Sequence, residues 1–233
     1  MCRVFLLFLT LSFFSCGKDL DEEKIISIFG NISGPISEKV SLAQSYSYYD
    51  ATRRTSYFRE DFSNNSNRWP LSPPLTNISS GIFNSNGRGA LLTLSKPIDE
   101  SKDFEVEIII GFKKHPNVPF NAVIWNYNAS SRVSWGIFNL PLSSGSQEHK
   151  IFCGQFSAAE NLYLSASKSE MVYNSSNISW AKVTMRKVDN FLVTFIDEIR
   201  YSTIKYRPTG GGLLGINDPG GIQIDRISID YLK

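Results

Sequence analysis

The chain has three cysteines and two histidines in 233 residues, and that scarcity removes several functions at once. Cys2 and Cys16 lie at the extreme N-terminus, which leaves Cys153 alone. A single thiol closes no internal disulfide, so stability must come from a packed core. Cys153 sits in the apolar run Ile151-Phe152-Cys153-Gly154 and reads as a buried, inert thiol, because a reactive thiolate needs an electropositive, partly exposed site. His115 and His149 stand in the polar stretches KKHPNVP and SQEHK. Neither has metal-ligand spacing to another histidine or cysteine. A surplus of one charge is also missing: Lys and Arg total 24 against 22 for Asp and Glu, a net of +2, so there is no field to hold nucleic acid. No apolar run reaches the roughly 20 residues of a membrane-spanning helix. Beyond the N-terminus, no stretch repeats convincingly with a helical period. There is no Gly-x-Ser-x-Gly elbow and no phosphate loop after a strand. Gly210-Gly211-Gly212 lacks a following lysine and helix and reads as a flexible turn.

What the chain does have is β-pattern. Hydrophobic residues make up 42% and aromatics 13%, ample for a core. Ala181 to Tyr206 predicts a three-strand meander. AKVTMRKV alternates apolar Ala181, Val183 and Met185 with polar Lys182, Thr184 and Arg186, the period of a sheet with one wet face. Tight turns follow at Asp189-Asn190 and Asp197-Glu198, separated by FLVTFI. Upstream, Gly81–Phe83 and Gly89–Leu94 read as a hairpin, and Phe104–Phe112 as a long, central strand. Segments 121–127, 132–139, 150–156 and 162–166 read as further strands. The last pair is Leu213–Ile216 with Ile222–Leu232. In the final strand Ile222 and Ile224 are out of phase with Ile227 and Ile229, which predicts a bulge near Asp225-Arg226. Short strands with turn residues every 8–12 positions predict an all-β, two-sheet antiparallel jelly-roll sandwich.

The N-terminus carries an address. Arg3 precedes the apolar run Val4–Phe14, and Ser15-Cys16-Gly17 follows. Leu11-Ser12-Phe13-Phe14-Ser15-Cys16 resembles the loose lipobox of Bacteroidetes-type bacteria. That resemblance implies a signal peptide over residues 1–15, acylation of Cys16 and a tether over residues 16–55, with room in it for one strand added to the sandwich. Gly17-Lys18-Asp19 resembles the export signal to the outer face of the outer membrane. The expected location is therefore the bacterial cell surface, with the membrane touched through the lipid anchor only.

The order DFSNNSNRW, SGIFNSNGRGALLTL, SKDFEVEIIIGF, AVIWNY, SRVSWGIFN, WAKVTMRKVDNFLVTFIDEIRYST, GLLGINDPGGIQIDRISIDYL resembles the concanavalin A-like lectin/glucanase superfamily. It is similar to an uncharacterised bacterial surface-lipoprotein branch. The resemblance places a concanavalin A-like domain over residues 56–233. Glucanases of the superfamily carry catalytic carboxylates on one strand in the pattern Glu-x-Asp-x-x-Glu. Glu105-Val106-Glu107-Ile108-Ile109-Ile110 keeps two carboxylates on one face and has Ile110 where the third would stand, so the hydrolytic motif is incomplete. Superfamily members often bind a structural Ca²⁺ through a late aspartate. Asp230 resembles that position and Asp61 is an early partner; no other cofactor is expected.

Binding is the preferred expectation, with a glycan or a surface protein as partner. Sugars are held by aromatic faces over their C–H patches with amides and carboxylates on their hydroxyls. Trp125, Tyr127 and Trp135, with Asn126 and Asn128 at the rim and Glu105 and Glu107 nearby, are the candidates. Trp125 and Tyr127 are two apart and share a face of a regular strand. The competing expectation puts Trp125 and Trp135 in the core. Trp69 and Trp180 flank strand starts and read as structural plugs. Asn-x-Ser triplets at Asn31, Asn64, Asn77, Asn128, Asn174 and Asn177 read as surface turns. The alternatives are a glucanase-type hydrolase with a divergent site and a structural surface component.

Overall fold

The computed structural model describes residues 53–85, 91–112, 120–141, 148–157, 162–174, 179–216 and 222–233. Fourteen strands follow in order: β1 (Arg54–Glu60), β2 (Thr76–Ser79), β3 (Ile82–Ser85), β4 (Leu92–Ser95), β5 (Phe104–Phe112), β6 (Phe120–Asn128) and β7 (Val133–Pro141), then β8 (Glu148–Ser157), β9 (Leu162–Asn174), β10 (Ser179–Val188), β11 (Phe191–Ile196), β12 (Ile199–Lys205), β13 (Leu213–Ile216) and β14 (Ile222–Leu232). They form two antiparallel sheets. The eight-stranded sheet runs β12-β11-β10-β5-β14-β3-β2, with β1 also paired to β14, and the six-stranded sheet runs β4-β13-β6-β7-β8-β9. This is a jelly-roll-like sandwich, as the alternating sequence pattern predicts.

Alternation explains the core. On β5, Phe104, Val106, Ile108 and Ile110 point between the sheets; on β10 the same inward phase is Ala181, Val183 and Met185, and all seven are buried. Burying each large aliphatic or aromatic side chain there contributes about 1.5–3 kcal/mol. Facing them from the six-stranded sheet are Val123, Trp125, Trp135, Ile137, Leu214 and Ile216. The meander forms with its register set by two tight turns, in which Asp189, Asp197 and Glu198 take positive φ of 53°, 48° and 72°. β5 is central, between β10 and β14. The pairing of β14 with β5 shifts between Ile224 and Arg226, so the bulge falls where the change of phase requires it.

Two expected hairpins are corrected. β3 pairs with β2 and β14 in the eight-stranded sheet, while β4 pairs with β13 in the six-stranded one. Likewise β13 and β14 belong to opposite sheets. In both cases local pattern identifies the strands but not their pairing: β3 pairs with the preceding β2 and the distant β14, and β4 with the distant β13. The chain crosses the sandwich instead of turning back on itself. Asn77 and Asn128 lie in strands rather than turns.

The polar phase of the meander is the other correction. Thr184 and Arg186 point to the outer face of the eight-stranded sheet, yet both are buried. Arg186 lies over the ring of Phe195 at 4.7 Å, beside a small apolar cluster of Val188, Val193, Phe195 and Leu232. That face is dry at its centre, and its charges are compensated by one another.

Candidate functional site

The two carboxylates on β5 share the outer face but not an environment. Glu105 is 2% exposed. One of its oxygens accepts from Arg54 Nη1 on β1 and the other from Arg186 Nε on β10, and Arg54 Nη2 reaches the second oxygen at 3.4 Å. The register explains the encounter, since Arg186, Glu105 and Asp230 occupy one row across β10, β5 and β14. Both oxygens are thus committed to guanidinium groups, which is the arrangement of a structural ion pair. A nucleophile or a general base needs a lone pair free for the substrate.

Glu107 lies in the next row, between Thr184 and Ser228. It is also 2% exposed. Its Oε2 is buried without a hydrogen-bond partner, and Lys182 Nζ stands 3.8 Å away. Desolvation pushes the Glu107 carboxyl above its usual range; Lys182 opposes that shift and the Glu105 charge reinforces it. One carboxylate is locked and the other is buried, so the pair lacks the accessible acid and nucleophile of a retaining glycosidase.

Asp230 belongs to the same network. Its Oδ1 accepts from Arg59 Nη2 at 2.5 Å, and Arg54 Nη1 lies 3.8 Å from Oδ2. Asp61 is exposed and accepts from the Ser63 backbone N–H at 3.0 Å. Among the described residues no group of three or more His, Cys, Asp or Glu is arranged to hold a metal ion. Two arginines already answer the Asp230 charge, so the Ca²⁺ expectation does not fit the residues around it. Cys153 is buried opposite Ile137, and desolvation raises its thiol to about 12.

The aromatic strands are placed differently from the platform expectation. Trp125 and Trp135 pair across β6 and β7 and are fully buried between the sheets. Trp135 stacks on Tyr206 at 4.6 Å between centroids and 12° between planes, and its Nε1 donates to Arg207 O at 2.9 Å. A large aromatic with a satisfied polar tip is a core residue. The shared face of Trp125 and Tyr127 is lost to a bulge: pairing shifts between Trp125 and Asn128, and Asn126 takes φ of 47°. Tyr127 therefore pairs with Leu213, whose neighbour Leu214 faces the core, and so stands on the outer face.

The two asparagines are structural. Buried Asn126 Oδ1 accepts from Ile98 N at 3.0 Å. Asn128 Nδ2 donates to Thr209 O at 2.9 Å, while its Oδ1 accepts from Ser130 N and Ser131 N. The 206–212 segment that they hold is also gripped by Glu100, which accepts from Tyr206 Oη at 2.6 Å and from the Thr209 and Gly210 backbone N–H groups. Gly211 is pressed so close that a Cβ would stand 2.2 Å from Asn126 O. The glycine run is therefore a close backbone contact rather than a flexible turn.

A close-packed row that the sequence did not announce lies on the outer face of the six-stranded sheet. Thr93, Gly215, Ile124, Gly136 and Gly154 form one continuous row across β4, β13, β6, β7 and β8. Ile124 lies down over the neighbouring glycines: a Cβ on Gly136 would meet its Cγ2 at 2.9 Å, and one on Gly215 its Cγ1 at 2.9 Å. The adjacent row brings together Leu213, Tyr127, Ser134 and Phe156, with both aromatics half-buried. Ile124, Gly136, Gly154 and Gly215 are all buried, and a Cβ on Gly215 would also meet Leu91 Cδ1 at 2.9 Å, so the row is a covered, close-packed strip with half-buried aromatics along one side. Glycines spaced through three separate strands give no signal in a linear reading; only the register aligns them.

No known family matches the sequence, and no curated protein matches it. Solved structures do match its fold. The Emp47p carbohydrate recognition domain superposes with a TM-score of 0.54 at 12% identity, over 79% of this chain and 99% of that one. A structure from work on endo-acting O-glycanases of the human gut microbiota gives 0.53 at 8% identity, over 77% and 100%. The laminarinase catalytic domain of Thermotoga maritima gives 0.50 at 8% identity, over 76% and 98%. At such identities the likeness is one of architecture. The chain shares the all-β, two-sheet jelly-roll sandwich fold of these structures.

Proposed function

We propose that this protein is a non-catalytic, lectin-like glycan-binding module carried on a surface lipoprotein. The observation that bears most weight is the state of Glu105: a superfamily fold that elsewhere serves both lectins and glucanases here has its candidate strand carboxylate bound by Arg54 and Arg186. The binding surface is the row of Leu213, Tyr127 and Phe156 on the outer face of the six-stranded sheet. Tyr127 and Phe156, both half-buried, would stack on the C–H faces of a sugar chain. The anchor is Cys16, acylated after removal of the preceding apolar segment.

Calorimetry of the full-length chain against a glycan panel tests the binding. Tyr127→Ala and Phe156→Ala are expected to weaken it by about tenfold or more, with melting temperatures near wild type. Absence of binding to every glycan, or full affinity in both variants, would remove this reading. Palmitate labelling that survives Cys16→Ser would remove the anchor. A divergent hydrolase and a protein-binding surface component remain the rival readings; release of reducing sugar by the purified chain would favour the first.

A further inference from the structure

We propose a second glycan-binding platform on the opposite side of the molecule, centred on Trp180. It goes beyond the strip on the six-stranded sheet and does not depend on it. Of the four tryptophans, Trp69, Trp125 and Trp135 are buried, whereas Trp180 is 41% exposed. Among the described residues only Leu75 is a comparably exposed large hydrophobe. Trp180 sits near the start of β10, and because Ala181 points into the core, the indole points out.

The register gives Trp180 a specific set of neighbours. Trp180 pairs with Gly111, Gly111 with Gln223, Gln223 with Asn84, and Asn84 with Asn77. All five therefore lie in one row on the outer face of β10, β5, β14, β3 and β2. At about 4.8 Å per strand the row spans roughly 19 Å. Its inward-facing counterparts, Ile110, Ile224 and Phe83, are fully buried, which fixes the phase.

The chemistry of this row is that of a sugar site. The strand next to Trp180 contributes no side chain at Gly111, so no neighbour on β5 stands up against the indole. Beyond it come three neutral amides and no charge. Gln223 Nε2 donates to Asn84 Oδ1 at 2.7 Å, and Asn84 Nδ2 donates to Ser79 Oγ at 3.1 Å and Ile82 O at 2.9 Å. Asn84 is thus fixed in orientation and in turn orients Gln223. The Gln223 Oε1 and the Asn77 amide have no bond to the described residues, and all three amides are half-buried. An aromatic ring for the C–H face and pre-set amides for the hydroxyls is the pairing that a neutral polyhydroxylated chain requires. A nucleic acid would call for phosphate-binding cations in the row, which has none. In the adjacent row are Lys182, Ile109 and exposed Arg226. Lys182 is engaged by Glu198 at 2.5 Å. Arg226 is placed to meet an acidic substituent at the edge of the chain, so salt dependence separates neutral from acidic glycans.

The buried state of the other three tryptophans makes Trp180 its own reporter. Acrylamide quenching of the full-length chain should show one accessible component, absent in Trp180→Phe. Laminarihexaose and purified mucin O-glycans serve as neutral and acidic probes. The expected result is at least about a twofold fall in the Stern–Volmer slope at saturation with one of them. Asn84→Ala and Trp180→Ala should weaken that probe by about tenfold, and Tyr127→Ala should leave the protection intact. An unchanged slope with both probes overturns the platform, as does wild-type affinity and stoichiometry in Trp180→Ala. Binding lost with Tyr127 but indifferent to Trp180 would leave the six-stranded strip as the sole site; the reverse pattern would leave this one.

Discussion

Glu105 and Glu107 are two residues apart on one strand face, and neutralising them should have opposite consequences. Glu105→Gln removes the charge that answers Arg54 and Arg186, whose side chains are 9% and 11% exposed. Taking one partner from a buried ion pair costs about 3–5 kcal/mol, because the remaining charges stay desolvated and uncompensated. In a domain of this size each kcal/mol corresponds to about 2–4 °C in Tm, so a fall of roughly 6–20 °C is expected at pH 7. Glu107→Gln removes a charge that has no hydrogen bond at Oε2 and whose carboxyl is raised above its ordinary value of 4.5 by desolvation. For a carboxyl whose native pKa is raised, the unfolded chain gives up its proton first, so native stability declines as pH rises from about 4.5 through the raised native value. Glu107→Gln abolishes that decline. Its Tm should stay within about 3 °C of wild type at pH 5 and gain on wild type toward pH 8. Thermal melts followed by near-ultraviolet circular dichroism across this range measure both. Equal shifts for the two substitutions, or no measurable destabilisation by Glu105→Gln, would refute the assignment. Loss of a glycan-hydrolysing activity in Glu105→Gln with unchanged Tm would show instead that the carboxylate is free to react.

Three further outcomes follow from the packing. Trp135→Ala loses the stack on Tyr206 and the bond to Arg207 O, and should cost about 3–5 kcal/mol in urea unfolding; a shift under about 1 kcal/mol would mean that the ring is not core. Gly211→Ala drives a Cβ into backbone atoms at 2.2–2.6 Å that cannot swing away. A loss of about 2 kcal/mol or more is expected, against near-neutrality for a flexible turn. Cys153, buried and raised to about 12, should resist Ellman's reagent at pH 8 in the native chain and react at once in guanidinium; rapid native labelling would contradict its burial.

The sequence made the strands legible because period-two alternation is a local property, and it extended even to the bulge before Arg226, where the apolar phase breaks visibly. Pairing was less legible. β3 and β4 look like a hairpin but enter different sheets, since nothing local tells a turn from a crossing. The candidate site suffered most from one residue. At Asn126 the backbone takes positive φ, the alternation slips, and Tyr127 is sent to the face opposite Trp125. The polar phase of β10 looked solvated because the partner of Arg186 is Glu105, and the other guanidinium on Glu105 comes from Arg54, 51 residues away. Trp180 read as a plug at a strand start. Its exposure and its amide neighbours come from a row assembled across five strands.

Arg54 is the first residue of β1 and pairs with Leu232 near the end of β14, while the Lys233 N–H donates to Arg53 O at 2.9 Å. The described domain therefore begins and ends at one point. Any pull arriving through the chain ahead of β1 meets the Arg53–Lys233 bond and then Arg54. A strand held only by its ladder would peel from that end, one hydrogen bond after another. The guanidinium grips Glu105 on the central strand β5 and so passes the load across β14 into the middle of the sheet. The ion pair that occupies the β5 carboxylate thus also works as a cleat, tying the first strand of the described domain to the middle of its sheet.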